Sequence, residues 1–381
     1  MKIAVVVKDF DPQWGGVERF AHHFVDQAAR RGHELHVFAN RWGKRRESHF
    51  VPHPVPALRH PPLAKLISFP LSAQRVVRQE GPFDVVFALT PLLGCDVYRL
   101  GEGLYREVLQ RKYRNPLVRS WKRWGPKGSY LLWMEKRVLT GGRARKVIAI
   151  SESSRREVLK HYSLPEGRVI TIYNGVDLQR FNPGVRAALR GQMRKRWGVE
   201  ANEMAVLFVG NDFRRKGLRV LCQAMSYLIG QGARIKLMVA GRDSPEPYLW
   251  ACRKMGIERR VVFMGAVDRI EAAYAAADLL CLPTHYDPFG YSCLEAMACG
   301  LAVVTTTNAG AAEIIEEGKN GSVVPAGDPL LLAEAIASSW REGRWREVNR
   351  DAWRTANAFT LERNAEAILS LFSSLEEAGN R

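Results

Sequence analysis

What this sequence lacks narrows its class before any motif is considered. No apolar run reaches the ~18 residues a membrane span needs. The opening stretch Met1-Lys2-Ile3-Ala4-Val5-Val6-Val7 runs straight into Lys8 and Asp9, which suits a buried strand and not a secretory signal, so a cytoplasmic protein is expected. Cys95, Cys222, Cys252, Cys281, Cys293 and Cys299 form no C-x-x-C pair, and none has a histidine at a zinc-like spacing. They are expected to be small core residues or free thiols, not metal or redox groups. There is no G-x-G-x-x-G fingerprint, internal repeat or low-complexity tract. Acidic residues are also short: 39 Asp and Glu face 57 Lys and Arg, a net +18. That charge favours anionic partners such as nucleic acid, acidic lipid head groups or phosphorylated glycans. No helix-turn-helix, RNP or zinc pattern accompanies it, which argues against nucleic acid.

What is present suits two globular domains: 381 residues, 46% hydrophobic and 25% charged. Ile3–Val7, Leu35–Ala39, Asp84–Leu89 and Lys146–Ile150 are predicted strands of the first half, with a helix over Gly16–Arg31. Ala205–Gly210, Ile235–Ala240, Val261–Phe263, Leu279–Leu282 and Ala302–Thr305 are predicted strands of the second, with helical patterns between them. Strands spaced by helices imply parallel sheets, hence two Rossmann-like α/β domains facing a cleft, with ligands at the strands' carboxyl ends. The Asn-Gly turn of Tyr173-Asn174-Gly175-Val176-Asp177 marks the boundary. The expected division is 1–173, 174–358 and a terminal segment 359–381 that packs back on the first domain and is helical over Leu361–Leu375. The Pro- and His-rich stretch Val51–Pro62 is expected to be an irregular loop.

Three segments carry chemistry. Asp287-Pro288-Phe289-Gly290-Tyr291-Ser292-Cys293-Leu294-Glu295 follows a predicted strand and is expected to open a helix near Pro288, with Glu295 two turns in. Free N–H groups there suit a diphosphate or a sugar hydroxyl, and the two carboxylates can grip hydroxyls on two parts of one ligand. A capping Asp and a solvated Glu are the plainer reading. Ala296, Ala298 and Gly300 favour the functional one by letting the helix lie close to the sheet. Gly210-Asn211-Asp212-Phe213-Arg214-Arg215-Lys216-Gly217 places adjacent cations at another strand end, where they can neutralise a diphosphate or form a basic surface loop. Trp14-Gly15-Gly16-Val17-Glu18 follows the first strand, and its glycines allow close approach to a phosphate or a tight strand–helix turn.

In this order the motifs resemble the retaining GT-B glycosyltransferases of family 4 along essentially the whole chain. The hallmark is an acidic residue and a Glu eight positions on, around Pro-Phe-Gly and before Glu-Ala-Met-Ala-x-Gly, here Asp287 through Glu295 to Gly300. Arg215-Lys216-Gly217, the first-loop Gly-Gly, Asn174-Gly175-Val176-Asp177 with Phe181, and Ser151 after a buried strand accompany it. Gly94-Cys95-Asp96-Val97-Tyr98, Glu102, Tyr105, Glu107 and Asp212-Phe213 resemble bacterial lipopolysaccharide core glucosyltransferases, which glucosylate inner-core heptose. The resemblance implies that Glu295 binds the donor ribose and Asp287 the transferred sugar. Backbone N–H groups near Phe289, Gly290 and Tyr291 would hold sugar and phosphate. Arg215 and Lys216 would stabilise the leaving diphosphate, Gly16 would approach the phosphate across the cleft, and Glu102 would lie near the acceptor. Asp287 stands where the family usually has Glu, and Glu102 where the subgroup usually has Asp. The implied reaction uses a UDP-sugar as substrate, no cofactor and no metal, and retains the anomeric configuration through front-side attack. Asp9-Phe10-Asp11 has the form of a metal-binding Asp-x-Asp but is expected to be a loop-capping feature.

Residues 106–146 hold thirteen Lys and Arg (Arg106, Arg111, Lys112, Arg114, Arg119, Lys122, Arg123, Lys127, Lys136, Arg137, Arg143, Arg145 and Lys146) against Glu107 and Glu135, a net +11. Trp121, Trp124, Tyr130 and Trp133 are interleaved. The mixture suits an anionic membrane surface or a lipid-linked glycan acceptor, and would place the enzyme peripherally on the inner membrane. The plainer reading is a solvated helix pair with its aromatics packed inward.

Overall fold

The computed structural model describes residues 1–43, 49–58, 60–113, 115–340 and 345–379. The chain forms two compact units, Met1–Gly175 with Leu361–Arg381, and Val176–Thr360. In the first unit the strands are β1 (Lys2–Val6), β2 (Asp9–Phe10), β3 (Glu34–Ala39), β4 (Arg41–Trp42), β5 (Val51–Pro54), β6 (Val85–Ala88), β7 (Val97–Leu100), β8 (Lys146–Ala149) and β9 (Val169–Thr171). Seven of them make one sheet in the order β5-β3-β1-β6-β7-β8-β9, while β2 and β4 pair separately. Every pairing is parallel. The apolar run Ile3–Val6 is fully buried because helices cover both faces of such a sheet.

Two expectations need correction here. Val51–Pro54 is not loop but the edge strand β5, paired with His36–Ala39. Pro52 and Pro54 are tolerated because they alternate, so their missing N–H groups fall on the unpaired side, and Val55 N–H still donates to Ala39 O at 2.8 Å. The helix Pro62–Glu80 then follows, so the irregular part is shorter than expected. The terminal helix extends to Gly379, beyond Leu375. It belongs to the first unit, where buried Phe372 packs edge-on against Phe24 and Phe87, with ring centroids 6.0 and 5.2 Å apart.

The second unit holds β10 (Met204–Val209), β11 (Ile235–Ala240), β12 (Val261–Gly265), β13 (Leu279–Leu282), β14 (Ala302–Thr306) and β15 (Gly321–Val324), in the order β12-β11-β10-β13-β14-β15. All pairings are again parallel. The chain steps outward from β10 to β12, then returns to lay β13 against the other side of β10. The carboxyl ends of β10 and β13 therefore flank the topological switch point, where doubly wound sheets bind ligands. In the first unit β1 and β6 flank the equivalent point. All six cysteines are buried and reduced, as expected of core residues.

Candidate active site

At the second unit's switch point, the loop after β10 is shaped by Gly217. Its φ of +79° is left-handed, and a Cβ there would strike the carbonyl oxygen of Pro283, just beyond β13. The two loops can therefore touch, and they do so through the basic pair. Lys216 Nζ donates to Asp287 Oδ2 in an ion pair whose two side chains are nearly buried. The Arg215 guanidinium donates to Tyr286 O at 2.7 Å, and its own carbonyl accepts from His285 N–H at 2.8 Å. Asp212 Oδ1 caps the turn by accepting from Arg215 N–H at 3.1 Å. Thr284 and Thr306 satisfy the neighbouring backbone, the latter through a 2.7 Å bond to Thr284 O.

Burial alone would push the Asp287 carboxyl up. Lys216 and Arg215 outweigh it and hold the group below its ordinary value, so it stays charged. Its second oxygen accepts from Phe289 N–H at 3.3 Å. The loop is pinned on its other side by Gly310 N–H to Asp287 O at 2.9 Å and Ala311 N–H to Phe289 O at 2.6 Å.

The helix after this loop opens at Tyr291, three residues later than expected, and runs to Ala298. Gly290 explains the delay: at φ +93° it cannot continue a right-handed helix backward into Pro288 and Phe289. Glu295 accordingly lies just over one turn in, not two. It is buried, and the Tyr274 hydroxyl donates to its Oε2 at 2.8 Å. The Cys293 thiol feels both carboxylates, pushed up to about 12 by burial first, then by Asp287, with Glu295 adding to it. The fold thus gathers Arg215, Lys216, Asp287, Phe289, Gly290, Tyr291 and Glu295 at one strand-end locus in one unit. Tyr274, inside the apolar run Ala272-Ala273-Tyr274-Ala275-Ala276, was not singled out by sequence pattern, which gives it the look of core.

Gly16 and Glu102 lie in the first unit. Gly16 opens the helix Gly16–Ala29, with extended Gly15 before it and no side-chain cap. Glu18, in the first turn, lies half-buried against Gly15. Burial raises its carboxyl, and the charges of Glu102 and Asp9 raise it further. Glu102 itself is exposed, beyond the end of β7. The following helix, Tyr105–Lys112, is anchored by Glu135, which accepts from Tyr105 N–H and from the Tyr162 hydroxyl. Asp9-Phe10-Asp11 divides. Asp11 Oδ1 caps a turn by accepting from Gln13 N–H at 2.9 Å, whereas Asp9 is not a cap but a strand residue gripped by both arms of Arg41 at 2.6 and 2.7 Å. Ser151 caps the helix Glu152–Tyr162.

In the basic stretch, the helix Pro116–Trp124 buries none of its side chains. Leu117, Trp121 and Trp124, at helical positions i, i+4 and i+7, are 79%, 71% and 74% exposed, and Trp133 on the next helix is also exposed. The inward-packed reading therefore fails for the tryptophans. Only Tyr130 turns in, donating to Leu66 O at 3.1 Å. Lys122 and Arg123 lie over the rings of Trp121 and Trp124. Arg114 lies outside the described residues.

Comparison with known proteins decides the family. Residues 14–180 match the family Glycosyltransferase Family 4, and residues 203–342 match Glycosyl transferases group 1. The chain belongs to the family 4, group 1 glycosyltransferases. It is 25% identical to the lipopolysaccharide glucosyltransferase WaaG of Escherichia coli over 363 residues, covering 94% of this chain and 96% of that one. Over 201 residues it is 34% identical to an uncharacterized glycosyltransferase of Methanocaldococcus jannaschii, covering 51% of each. Over 238 residues it is 29% identical to a D-inositol 3-phosphate glycosyltransferase of Rhodococcus jostii, covering 60% of this chain and 52% of that one. The chain spans about half the length of these last two relatives. A crystal structure of WaaG superposes with a TM-score of 0.84 at 23% identity, covering 97% of this chain and 99% of that one. Anabaena HepE, crystallised with UDP and glucose, gives 0.75 at 21% identity, covering 98% and 100%. The chain has the GT-B fold of these neighbours. Among the described residues, no helix is long and apolar enough to cross a membrane.

Proposed function

We propose that this glycosyltransferase is a retaining, metal-independent hexosyltransferase, moving glucose from UDP-glucose to a lipopolysaccharide inner-core heptose or a similar lipid-linked acceptor on the cytoplasmic face of the inner membrane. The observation that carries the donor half is the Lys216–Asp287 pair at the switch point. It holds one cation and one carboxylate side by side, where a nucleotide-sugar offers a diphosphate beside a polyhydroxyl ring. In this reading Lys216 and Arg215 balance the charge that grows on the diphosphate as the C1–O bond breaks, as a divalent ion does in other transferases. Asp287 accepts from sugar hydroxyls, Glu295 from the ribose, and backbone N–H groups near Phe289, Gly290 and Tyr291 are assigned to sugar and phosphate. The acceptor hydroxyl attacks C1 from the face the diphosphate leaves. Its proton passes to the departing phosphate oxygen, and the anomeric configuration is kept. Glu102 is assigned to orienting the acceptor, and Gly16 to close backbone approach to the phosphate.

WaaG similarity and the UDP and glucose bound to HepE support the choice of donor. The exposed Leu117, Trp121 and Trp124, ringed by cations, support an anionic membrane surface as the place of work, since amphipathic helices of this composition lie in the head-group layer. Similarity to D-inositol 3-phosphate glycosyltransferases favours a second reading with a small soluble acceptor.

A donor screen in EDTA with UDP-glucose, UDP-galactose, UDP-N-acetylglucosamine, GDP-mannose and ADP-heptose tests the donor. Thermal shift and slow hydrolysis are expected with UDP-glucose alone, and Glu295→Ala and Lys216→Ala are expected to lose both. Strict dependence on added metal, or an inverted product by NMR, would overturn the mechanism. Pelleting with anionic but not neutral vesicles, weakened by salt and by Trp121→Ser with Trp124→Ser, is expected. Full activity on soluble acceptors without vesicle binding would favour the second reading.

A further inference from the structure

Glu295 does not stand alone on its helix, and the group that holds it lies outside the motif. Tyr274 is fully buried on the helix Ile270–Ala276, and its hydroxyl donates to Glu295 Oε2 at 2.8 Å, with Ser292 O farther off at 3.3 Å. A phenol has one proton to give, and the carboxylate is both the nearer and the stronger acceptor. The ring is fixed from the other side. Buried Phe181 meets it edge-on, with centroids 5.8 Å apart and planes at 82°. The same helix is tied down by Glu271, which pairs with Arg180 at 2.8 Å and Arg269 at 3.1 Å. Tyr274 can therefore move little, and it constrains the plane of the Glu295 carboxylate.

We infer that Tyr274 is a positioning residue for nucleotide binding: it sets the orientation in which Glu295 meets the ribose hydroxyls of the donor. The inference rests on the ribose role proposed for Glu295 above. A carboxylate has acceptor sites on both oxygens, so the tyrosine bond leaves capacity for a ribose hydroxyl while removing the freedom to rotate away from it. Removing the phenol oxygen takes away this one constraint on the carboxylate and leaves Glu295 itself chemically unchanged.

The test is calorimetric binding of UDP and 2′-deoxy-UDP to the full chain and to Tyr274→Phe, Glu295→Gln and the double variant. Wild type is expected to prefer UDP. Tyr274→Phe is expected to weaken UDP by about tenfold, as for loss of a hydrogen bond to a charged group, and to weaken 2′-deoxy-UDP, which keeps only the 3′-hydroxyl, by clearly less. In the Glu295→Gln background, Tyr274→Phe is expected to change neither ligand. A general packing defect would instead weaken both ligands alike in either background, and would overturn the inference. Unchanged UDP binding in a folded Tyr274→Phe would also overturn it while leaving the ribose role intact. If Glu295→Gln retains the full preference for UDP over 2′-deoxy-UDP, the ribose role itself fails, and this inference with it. Failure of wild type to bind UDP would remove the donor reading and the inference together.

Discussion

In both units the strand order turns back beside the first strand, yet the loops at the two switch points are fastened differently. In the first unit the loops after β1 and β6 are joined by a neutral contact, Lys8 N–H to the Thr90 hydroxyl at 3.2 Å. Of the charged groups nearby, Asp9 pairs with Arg41 on a neighbouring strand, Glu102 is exposed, and Glu18 is a carboxylate whose charge is opposed by burial, Glu102 and Asp9. In the second unit an ion pair and two hydrogen bonds to backbone carbonyls, one from the Arg215 guanidinium and one from His285 N–H, lace the loops after β10 and β13 together, and the carboxylate is held charged although buried. A site that must stabilise developing charge gains from dipoles and ions fixed in advance. On the proposed division of roles, the first unit would meet the acceptor and has less need of that rigidity. The plan of the sheet is shared, and the difference lies in how loop charges are paired.

Removing the fastening should produce the largest effect. On the role proposed for it, Lys216→Ala takes away a cation from the leaving group and strands Asp287, so sugar transfer from UDP-glucose should fall by about 10³-fold. Breaking a buried pair by losing one partner also destabilises by about 3 kcal/mol. Adding Asp287→Asn should restore most of that stability in thermal unfolding and none of the activity. The first unit offers the contrast. Arg41→Ala unpairs Asp9, but Arg41 is half exposed, so the loss should be about 1 kcal/mol with transfer nearly unchanged. Equal activity losses in the two variants would erase the distinction.

The glycines sharpen the comparison at a lower level. Gly217→Ala places a methyl in a left-handed position and against a backbone carbonyl that cannot yield, so the second unit should lose about 3 kcal/mol by denaturant titration, and donor hydrolysis should fall with it. Gly15→Ala in the first unit meets only the far end of the Glu18 side chain, in an extended backbone, and should cost under about 1 kcal/mol.

The sequence discloses these loops unequally. Unbroken apolar runs such as Ile3–Val6 and Ala205–Val209 declare themselves as strands because both faces are buried. β5, β7 and β15 are four residues long and carry Pro52, Arg99 and Ser322, and β9 has only three residues, so only pairing with a neighbour makes them strands. The basic and acidic motif residues are legible because Gly, Lys and Asp at strand ends have few other uses. The late helix start is not, because Pro288 suits a first turn and nothing local announces that Gly290 adopts φ +93°. Tyr274 is hidden for a related reason: its partner lies 21 residues away, and its surroundings are alanine.

The smallest effect expected is the most specific, because its sign should differ between the units. Asp287 has a lowered carboxyl value, so its contribution to stability is complete above the ordinary carboxylate range and is lost as pH falls through the folded value. Glu18 is raised, so its protonated form is favoured by folding. That contribution is present below the ordinary value and is lost as pH rises through the folded one, leaving a charged, partly buried carboxylate at neutral pH. Asp287→Asn should therefore lower the Tm at pH 7 and lose that effect under acid conditions. Glu18→Gln should raise the Tm at pH 7 and have no effect once pH is below the ordinary carboxylate value. Melting both variants across pH 3.5 to 8 separates the cases. If Glu18→Gln lowers the Tm at neutral pH, Glu18 is held as a stabilising anion, and the two switch points are alike in their use of charge.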